Sequence, residues 1–369
     1  MSQEVLKNFY ADDTRCLQIA DRLSLPGLLT NTPQREEVAL TGLFGSAAPF
    51  VFAAIAGQSP DFNHIIVLNE AEDAAYFHNT LENITGALDI FYFPSSFKTK
   101  KNYRLLNASH VMLRTEALTK LAHPPTRKEG EGPRRKILVT YPEALFEKVV
   151  ISETLSENMI HIKTADTIDV GQLLLKLDGF GFERSDFVYE PGQYALRGGI
   201  FDIYSFGNEK PYRFELFGNE VDSIRIIDPE TQLSERKLLS VSIIPNVDTQ
   251  FTSEQRISLF DFLPSNTAVW LQDQELCVER LKDNEEEFRY FLEFSSSVQS
   301  SSGSDDADKL FKKDLSAGDF ISADSFLQSI QSRAVFHFGG NSFGAKEEFE
   351  FNTRSQPAFN RQFELLIKD

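Results

Sequence analysis

Cysteine is almost missing from this chain. Only Cys16 and Cys277 occur in 369 residues. They lie far apart, with no CxxC or Cys/His spacing, which excludes a disulfide framework and a thiolate zinc site. The six histidines are scattered and no HExxH occurs. Positive charge is also short, with 37 Lys and Arg against 55 Asp and Glu, a formal net charge of -18. Broad duplex binding rests on neutralising phosphates with cations, so it is excluded as a main role. Acidity favours solubility and a basic partner surface instead. No apolar run is long enough to span a bilayer. The opening MSQEVLKNFYADDTR lacks the apolar segment of a secretory signal. These absences together predict a soluble cytoplasmic protein. No pair of carboxylates shows acid/base spacing. The acidic run Glu285-Glu286-Glu287 reads as a solvated helix face.

What is present suffices for real cores: 41% hydrophobic residues and 33 phenylalanines, with a single Trp270. The length suggests two or three domains. Residues 39–44 lead into a small-residue loop and an apolar helix through Ile55, and 64–68 reads as a buried strand. Helix, strand, helix and strand follow at 70–83, 90–93, 109–122 and 136–140. Strands alternating with helices imply a parallel sheet covered on both sides. A second unit begins near Glu157 with a strand at 158–163 and a helix capped by Asp166 or Thr167, whose Val170, Leu173, Leu174 and Leu177 share a face. It closes near Pro245. The third unit has a helix at 257–263, a strand at 268–271, a long charged helix at 275–294 and a short strand at 334–338. The expected domains are 1–156, 157–246 and 247–369, with a serine-rich linker at about 295–306.

The most informative stretch is PGQYALRGGIFDIYSFGNEKPYRFELFGNEVDSIRIIDPET, from Pro191 to Thr231. Gly198-Gly199, Gly207-Asn208 and Gly218-Asn219 are turn signals, and Pro211 cannot donate to a ladder, so pairing begins after it. In Tyr212-Arg213-Phe214-Glu215-Leu216-Phe217 the side chains alternate between faces. Tyr212, Phe214 and Leu216 form an apolar face; Arg213, Glu215 and Phe217 form the other. An aromatic beside an arginine on a wet face has the composition of a binding hot spot. The plainer reading tucks Phe217 under a loop and pairs Arg213 with Glu215 or Glu220, since single exposed apolar residues are common.

A phosphate-binding loop needs GxxxxGK[ST], with glycines for close backbone approach, a lysine for the outer phosphates and a hydroxyl for magnesium. The frame is here in Gly42-Leu43-Phe44-Gly45-Ser46-Ala47-Ala48-Pro49. Gly42 fills the first glycine position. Ala47, Ala48 and Pro49 stand where the second glycine, the lysine and the hydroxyl belong. Proline suits an early helix position but offers no donor and no metal ligand. Nucleotide hydrolysis therefore has no visible electrostatic support. Asp273 follows the 269–271 strand but lacks an adjacent carboxylate, since Gln274 comes next, so it reads as a surface residue at a strand end. No metal site and no cofactor are expected.

LTGLFGSAAPFVFAAI, VTYPEALFEKV, the Pro191 block and SQPAFNRQFELL together resemble the UvrB-like module at the front of the bacterial transcription-repair coupling factors, the Mfd family. The first matches that family's degenerate nucleotide loop, and the Pro191 block matches the most recognisable part of its second subdomain. The match is weak over residues 264–335. The resemblance implies a degenerate RecA-like, P-loop-like α/β fold in which subdomains 1A and 1B complete a parallel sheet and a small α+β domain 2 is inserted between them. It implies no hydrolysis by this module and recruitment of UvrA through domain 2 when RNA polymerase stalls at a lesion. The family's contact positions fall on Arg197, Arg213 and Phe217. RNA polymerase and DNA would be engaged by parent domains absent from this chain, which is then expected to be a front fragment. No tyrosine-dense insertion of the UvrB kind occurs between Asn83 and Pro124.

Two other readings remain. One is a UvrB-like ATP-dependent enzyme with an unorthodox loop. The other is DNA binding through Arg127, Lys128, Arg134, Arg135 and Lys136, in the single concentrated basic run PPTRKEGEGPRRK. The plainer account of that run is a solvated loop.

Overall fold

A computed structural model describes residues 3–23, 37–86, 89–99, 102–122, 135–295, 315–339 and 345–354. Arg127, Lys128, Arg134, the serine-rich run from Ser296 onward and SQPAFNRQFELL lie outside these described residues.

Seven strands form one wholly parallel sheet in the order Glu347–Glu350, Glu37–Thr41, Val335–His337, Thr267–Leu271, Asn63–Val67, Ile137–Thr140, Ile90–Tyr92. Strands buried on both faces read as near-continuous apolar runs, and Thr267–Leu271 and Ile137–Thr140 are buried at every position. Helices Ala47–Gln58, Ala71–Thr85, Ala108–Ala122 and Gln274–Ser295 accompany the sheet. Helix Thr14–Leu23 adds Cys16, Ile19, Ala20 and Leu23 to the core. Both cysteines are buried free thiols. Deep in the sheet the indole of Trp270 donates to His64 Nδ1 at 3.1 Å. Burial pushes the His64 imidazole down to about 3, so it stays neutral.

Between the strands at 140 and 267 the chain builds a second sheet of six strands. Their order is Ser234–Leu238, Glu220–Ile227, Tyr212–Phe217, Ile200–Ile203, Gln193–Arg197, Glu183–Arg184. All neighbours are antiparallel except the last pair. The inner face sends Tyr194, Phe201, Ile203, Tyr212, Phe214 and Ile224 into the core with Leu173 and Leu177 of helix Val170–Gly179. The cap of that helix differs from expectation. Asp169, not Asp166 or Thr167, accepts from the Gln172 amide at 3.1 Å. Asp166 is occupied by the Lys163 amide, and Thr167 bridges to Glu220.

Where the chain leaves the large sheet and returns to it, charged side chains are buried together. Arg114 has no solvent exposure; its Nη2 lies 3.5 Å from Glu147 Oε2 and its Nε 3.5 Å from Asp248 Oδ2. Arg256 Nε lies 3.6 Å from Asp319 Oδ1. Removing one member of such a cluster strands a buried charge; the pairs tie helix Ala108–Ala122 to Glu147 and Asp248, and Arg256 to Asp319.

Other boundaries moved for local reasons. The strand expected at 158–163 starts at Ile160, because Asn158 closes a short helix, Ser152–Glu157. The helix expected at 257–263 is a single turn, Leu259–Phe262, capped by Ser258. A hairpin at Phe97–Thr99 and Asn102–Leu106 was not anticipated; its Tyr103 is buried. Among the described residues no helix is long and apolar enough to cross a membrane, and no cluster of His, Cys, Asp or Glu could hold a metal ion.

Candidate functional site

Register across the small sheet decides which side chains share its outer face. One cross-strand row runs Ala195, Asp202, Arg213, Arg225, Lys237. The next runs Arg197, Ile200, Glu215, Ser223. A bulge between Glu215 and Leu216 pairs Leu216 with Val221 and leaves Asp222 as the extra residue of the neighbouring strand. Alternation along Tyr212–Phe217 therefore persists, and Phe217 emerges on the side of Arg213 with 84% of its surface exposed. The turns on either side have Gly198 at φ +60 and Gly218 at φ +63, values that L side chains resist.

The arginines are not free. The Asp202 carboxylate, with no solvent exposure, receives Arg213 Nε at 2.7 Å and Arg213 Nη2 at 2.8 Å, and Arg197 Nη2 at 2.5 Å. Arg213 Nη1 also donates to the Gln232 carbonyl at 3.1 Å. The Arg197 guanidinium lies 4.4 Å over the Phe187 ring and donates to the Asp186 carbonyl. The expected alternative partners of Arg213, Glu215 and Glu220, are not the ones used. Glu215 instead accepts from the Ser223 hydroxyl at 2.6 Å and lies 3.5 Å from Arg225 Nη2. The Ser223 hydrogen bond and then the Arg225 charge hold the Glu215 carboxyl below the usual carboxylate range. Hydrogen bonding to Asp202 likewise raises the Arg213 guanidinium further.

The result is a half-wet surface of held cations with exposed Phe187, Tyr189, Ile200 and Phe217 around them. Side chains of Arg197 and Arg213 keep 31% and 14% exposure, so their remaining N–H groups can reach an outside acceptor. Alternation from sequence placed Arg213 and Phe217 on one face. It missed Asp202, although a lone carboxylate in the apolar run Ile200-Phe201-Asp202-Ile203 was a signal. Arg225 and Lys237 could not be placed without the register.

The nucleotide-type loop sits at the end of strand Glu37–Thr41, before helix Ala47–Gln58. Thr353 and Asn352 bind its first residues, while Phe44 to Ser46 stay exposed. The Phe44 amide donates to Thr353 Oγ1 at 2.9 Å, and Thr353 Oγ1 donates to the Gly42 carbonyl at 2.7 Å. The Thr353 amide reaches the same carbonyl at 2.9 Å. A Cβ at Gly42 would meet the Asn352 nitrogen at 2.9 Å, so only glycine permits this approach. The Ser46 hydroxyl bonds the Tyr76 hydroxyl at 3.0 Å. Gly45 and Ser46 are exposed, Ala47 and Ala48 half-buried and Pro49 buried. Asp273 caps helix Gln274–Ser295, accepting the Leu276 amide at 2.9 Å, which accounts for its place at the strand end.

Of the basic run, Arg135 and Lys136 are described. Lys136 is buried, and its ammonium donates to the Lys120 and Leu121 carbonyls near the end of helix Ala108–Ala122. That role removes Lys136 from any nucleic-acid patch. Arg135 donates to the Gly57 carbonyl at 3.3 Å.

Residues 160–248, which hold the whole outer face, match the family model described as the UvrB interaction domain. The chain is 27% identical over 240 residues to the transcription-repair-coupling factor of Bacillus subtilis, covering 64% of this chain and 19% of that protein. It is 30% identical over 216 residues to that of Staphylococcus aureus (58% of this chain, 18% of the relative) and 27% identical over 136 residues to that of Escherichia coli (37% and 11%). The chain thus spans at most about a fifth of the length of these curated relatives. These matches bear out the resemblance read from the sequence motifs.

Proposed function

We propose that this chain, a relative of the amino-terminal module of the transcription-repair coupling factors, is a non-catalytic adapter. It docks UvrA through the outer face of its small sheet and so serves transcription-coupled nucleotide excision repair. The observation that carries this reading is the exposed Phe217 beside the Arg197–Asp202–Arg213 cluster, inside the segment that matches the UvrB interaction domain. A large exposed aromatic next to held guanidiniums supplies an apolar anchor and charge-assisted donors at once. The same geometry refines the binding mode. Asp202 already takes one edge of the Arg213 guanidinium and a single Nη2 donor of Arg197, so a UvrA carboxylate would meet the remaining N–H groups rather than bare cations.

The absence of catalysis in this reading is supported by Ala47, Ala48 and Pro49 in the loop and by the Thr353 hydroxyl seated on it. Contacts to RNA polymerase and DNA are assigned to parts of the longer relatives outside the matched stretch. The test is UvrA binding by titration calorimetry. Phe217→Ala should weaken it by about 2 kcal/mol, roughly thirtyfold, with an unchanged melting temperature. Arg213→Ala should weaken it as well. A folded Arg213→Ala/Phe217→Ala double variant that binds UvrA at wild-type strength would reject the proposal.

A further inference from the structure

On the outer face of the small sheet, three cations stand side by side on three neighbouring strands. Arg213 is paired in register with Arg225, and Arg225 with Lys237. Like charges directly opposite each other across strands destabilise a sheet. Neighbouring strands are about 4.8 Å apart, so the row spans about 10 Å perpendicular to them. Asp202 neutralises its inner end, and Glu215 lies 3.5 Å from its middle member. Lys237 has no ion pair among the described residues and is exposed. A chain of net charge -18 has no general need of a cation row, and this one opposes the sheet that bears it. Two carboxylates only partly offset this row, and places where a local rule is broken with partial compensation are candidates for function.

We infer that Arg213, Arg225 and Lys237 form a rail for an acidic segment of the docking partner, lying across the strands. Its apolar end rests on Ile200 and Phe217, and successive carboxylates meet the three cations. This rests on the reading of the face as the UvrA-docking surface and adds Arg225 and Lys237 to it as specificity residues. Charge complementarity selects an acidic peptide rather than a nucleic-acid backbone. The same unit exposes Glu190, Glu220, Glu230 and Glu235, which would repel a phosphate chain extending past the row. Glu220 stands in register with Phe217, where the segment is apolar and carries no carboxylate to be repelled. The rail sets orientation and encounter rate, as rim charges do, while Phe217 sets residence time.

The experiment compares the intact chain with Lys237→Glu, Arg225→Glu and Arg225→Gln, using purified UvrA as probe and surface plasmon resonance at several salt concentrations. Lys237→Glu and Arg225→Glu should each lower affinity on the order of tenfold at low salt, chiefly through slower association, with a flatter salt dependence. Lys237 is exposed and its reversal places an opposite charge across from Arg225, so the melting temperature should not fall. If Arg225→Glu does not fold, Arg225→Gln and Lys237→Glu decide the matter. Wild-type binding by these variants, alongside loss in Phe217→Ala, would overturn the rail and leave the docking proposal standing. Wild-type binding by all of them would overturn both. A salt-sensitive shift of a DNA duplex, abolished by Arg225→Glu while UvrA binding stays intact, would also overturn the acidic-segment assignment.

Discussion

The loop at Gly42 and the outer face of the small sheet are built from the same parts, a strand, glycine turns and polar groups at a strand end. They differ in where those polar groups find partners. At the loop, the Phe44 amide and Gly42 carbonyl are satisfied by Thr353, a residue of the same chain, and the lysine and hydroxyl positions are apolar. On the sheet face, the arginines are held by carboxylates yet remain partly at water, in a row completed by an exposed lysine. A polar group satisfied internally stabilises the fold and has nothing left to offer a ligand. A guanidinium gripped along one edge is oriented and still has donors to give. The comparison teaches that one place can keep its polar groups satisfied within the chain while another place of the same chain keeps oriented donors at water.

The sharpest way to break this contrast is Asp202→Ala. It removes the carboxylate that both arginines share, in a position without solvent exposure. Breaking a buried ion pair costs about 3–5 kcal/mol, and the exposed parts of both guanidiniums reduce the cost here to about 2–3 kcal/mol. Urea unfolding should register that loss, and UvrA affinity should fall with it because the guanidiniums lose their orientation. Asp202→Glu should recover part of the affinity. Phe217→Ala supplies the opposite pattern, weaker binding with unchanged stability. If Asp202→Ala bound UvrA normally, the idea of pre-oriented arginines would be wrong.

A pH scan separates the regions next. His64 is buried near the start of strand Asn63–Val67, in the large sheet that also carries the loop, with a folded pKa of about 3 against an unfolded value of 6.5. A depressed histidine binds its proton more weakly when folded. Its stabilising contribution is therefore complete above pH 6.5 and is lost as pH falls toward the folded value. The loss is about 1.4 kcal/mol per pH unit below 6.5. His64→Gln keeps an acceptor for Trp270 and removes the titration. Denaturant unfolding at pH 7 and pH 5 should show a smaller drop for the variant than for the wild type. The carboxylates of the outer face, Glu215 among them, are the same in both proteins, so that face cancels from the difference.

Much of this was legible in the sequence, for physical reasons. The parallel sheet was readable because its strands are buried on both sides and so appear as apolar runs, as in 64–68 and 268–271. Phe217 and Arg213 were readable because alternation along one strand is local. Asp202 holding Arg197 and Arg213 was not, since it depends on which strands pair and in what register. The cation row was hidden for the same reason; its members are 12 positions apart in sequence, at 213, 225 and 237. Lys136 was misread because a lysine in a basic run gives no sign that helix-end carbonyls claim it. Thr353 over the loop was the most distant of these relations, 309 residues from Phe44.

That last contact yields the smallest expected effect and tests the silent side of the comparison. Thr353→Val keeps shape and removes the hydroxyl that accepts from Phe44 and donates to Gly42. A neutral hydrogen bond contributes about 1 kcal/mol net. Phe44 is exposed enough for water to replace its acceptor, so the stability loss should be about 1 kcal/mol or less, read as a small decrease in the urea midpoint. The substitution also returns a loop amide to solvent, the one change within the existing sequence most able to reopen the site. Calorimetry with ATP and magnesium should nevertheless remain flat. A freed amide cannot substitute for the lysine that Ala48 replaces or the metal-holding hydroxyl that Pro49 replaces. Measurable ATP binding in Thr353→Val would mean that the loop is held shut rather than chemically empty, and the two regions would then differ in access instead of in chemistry.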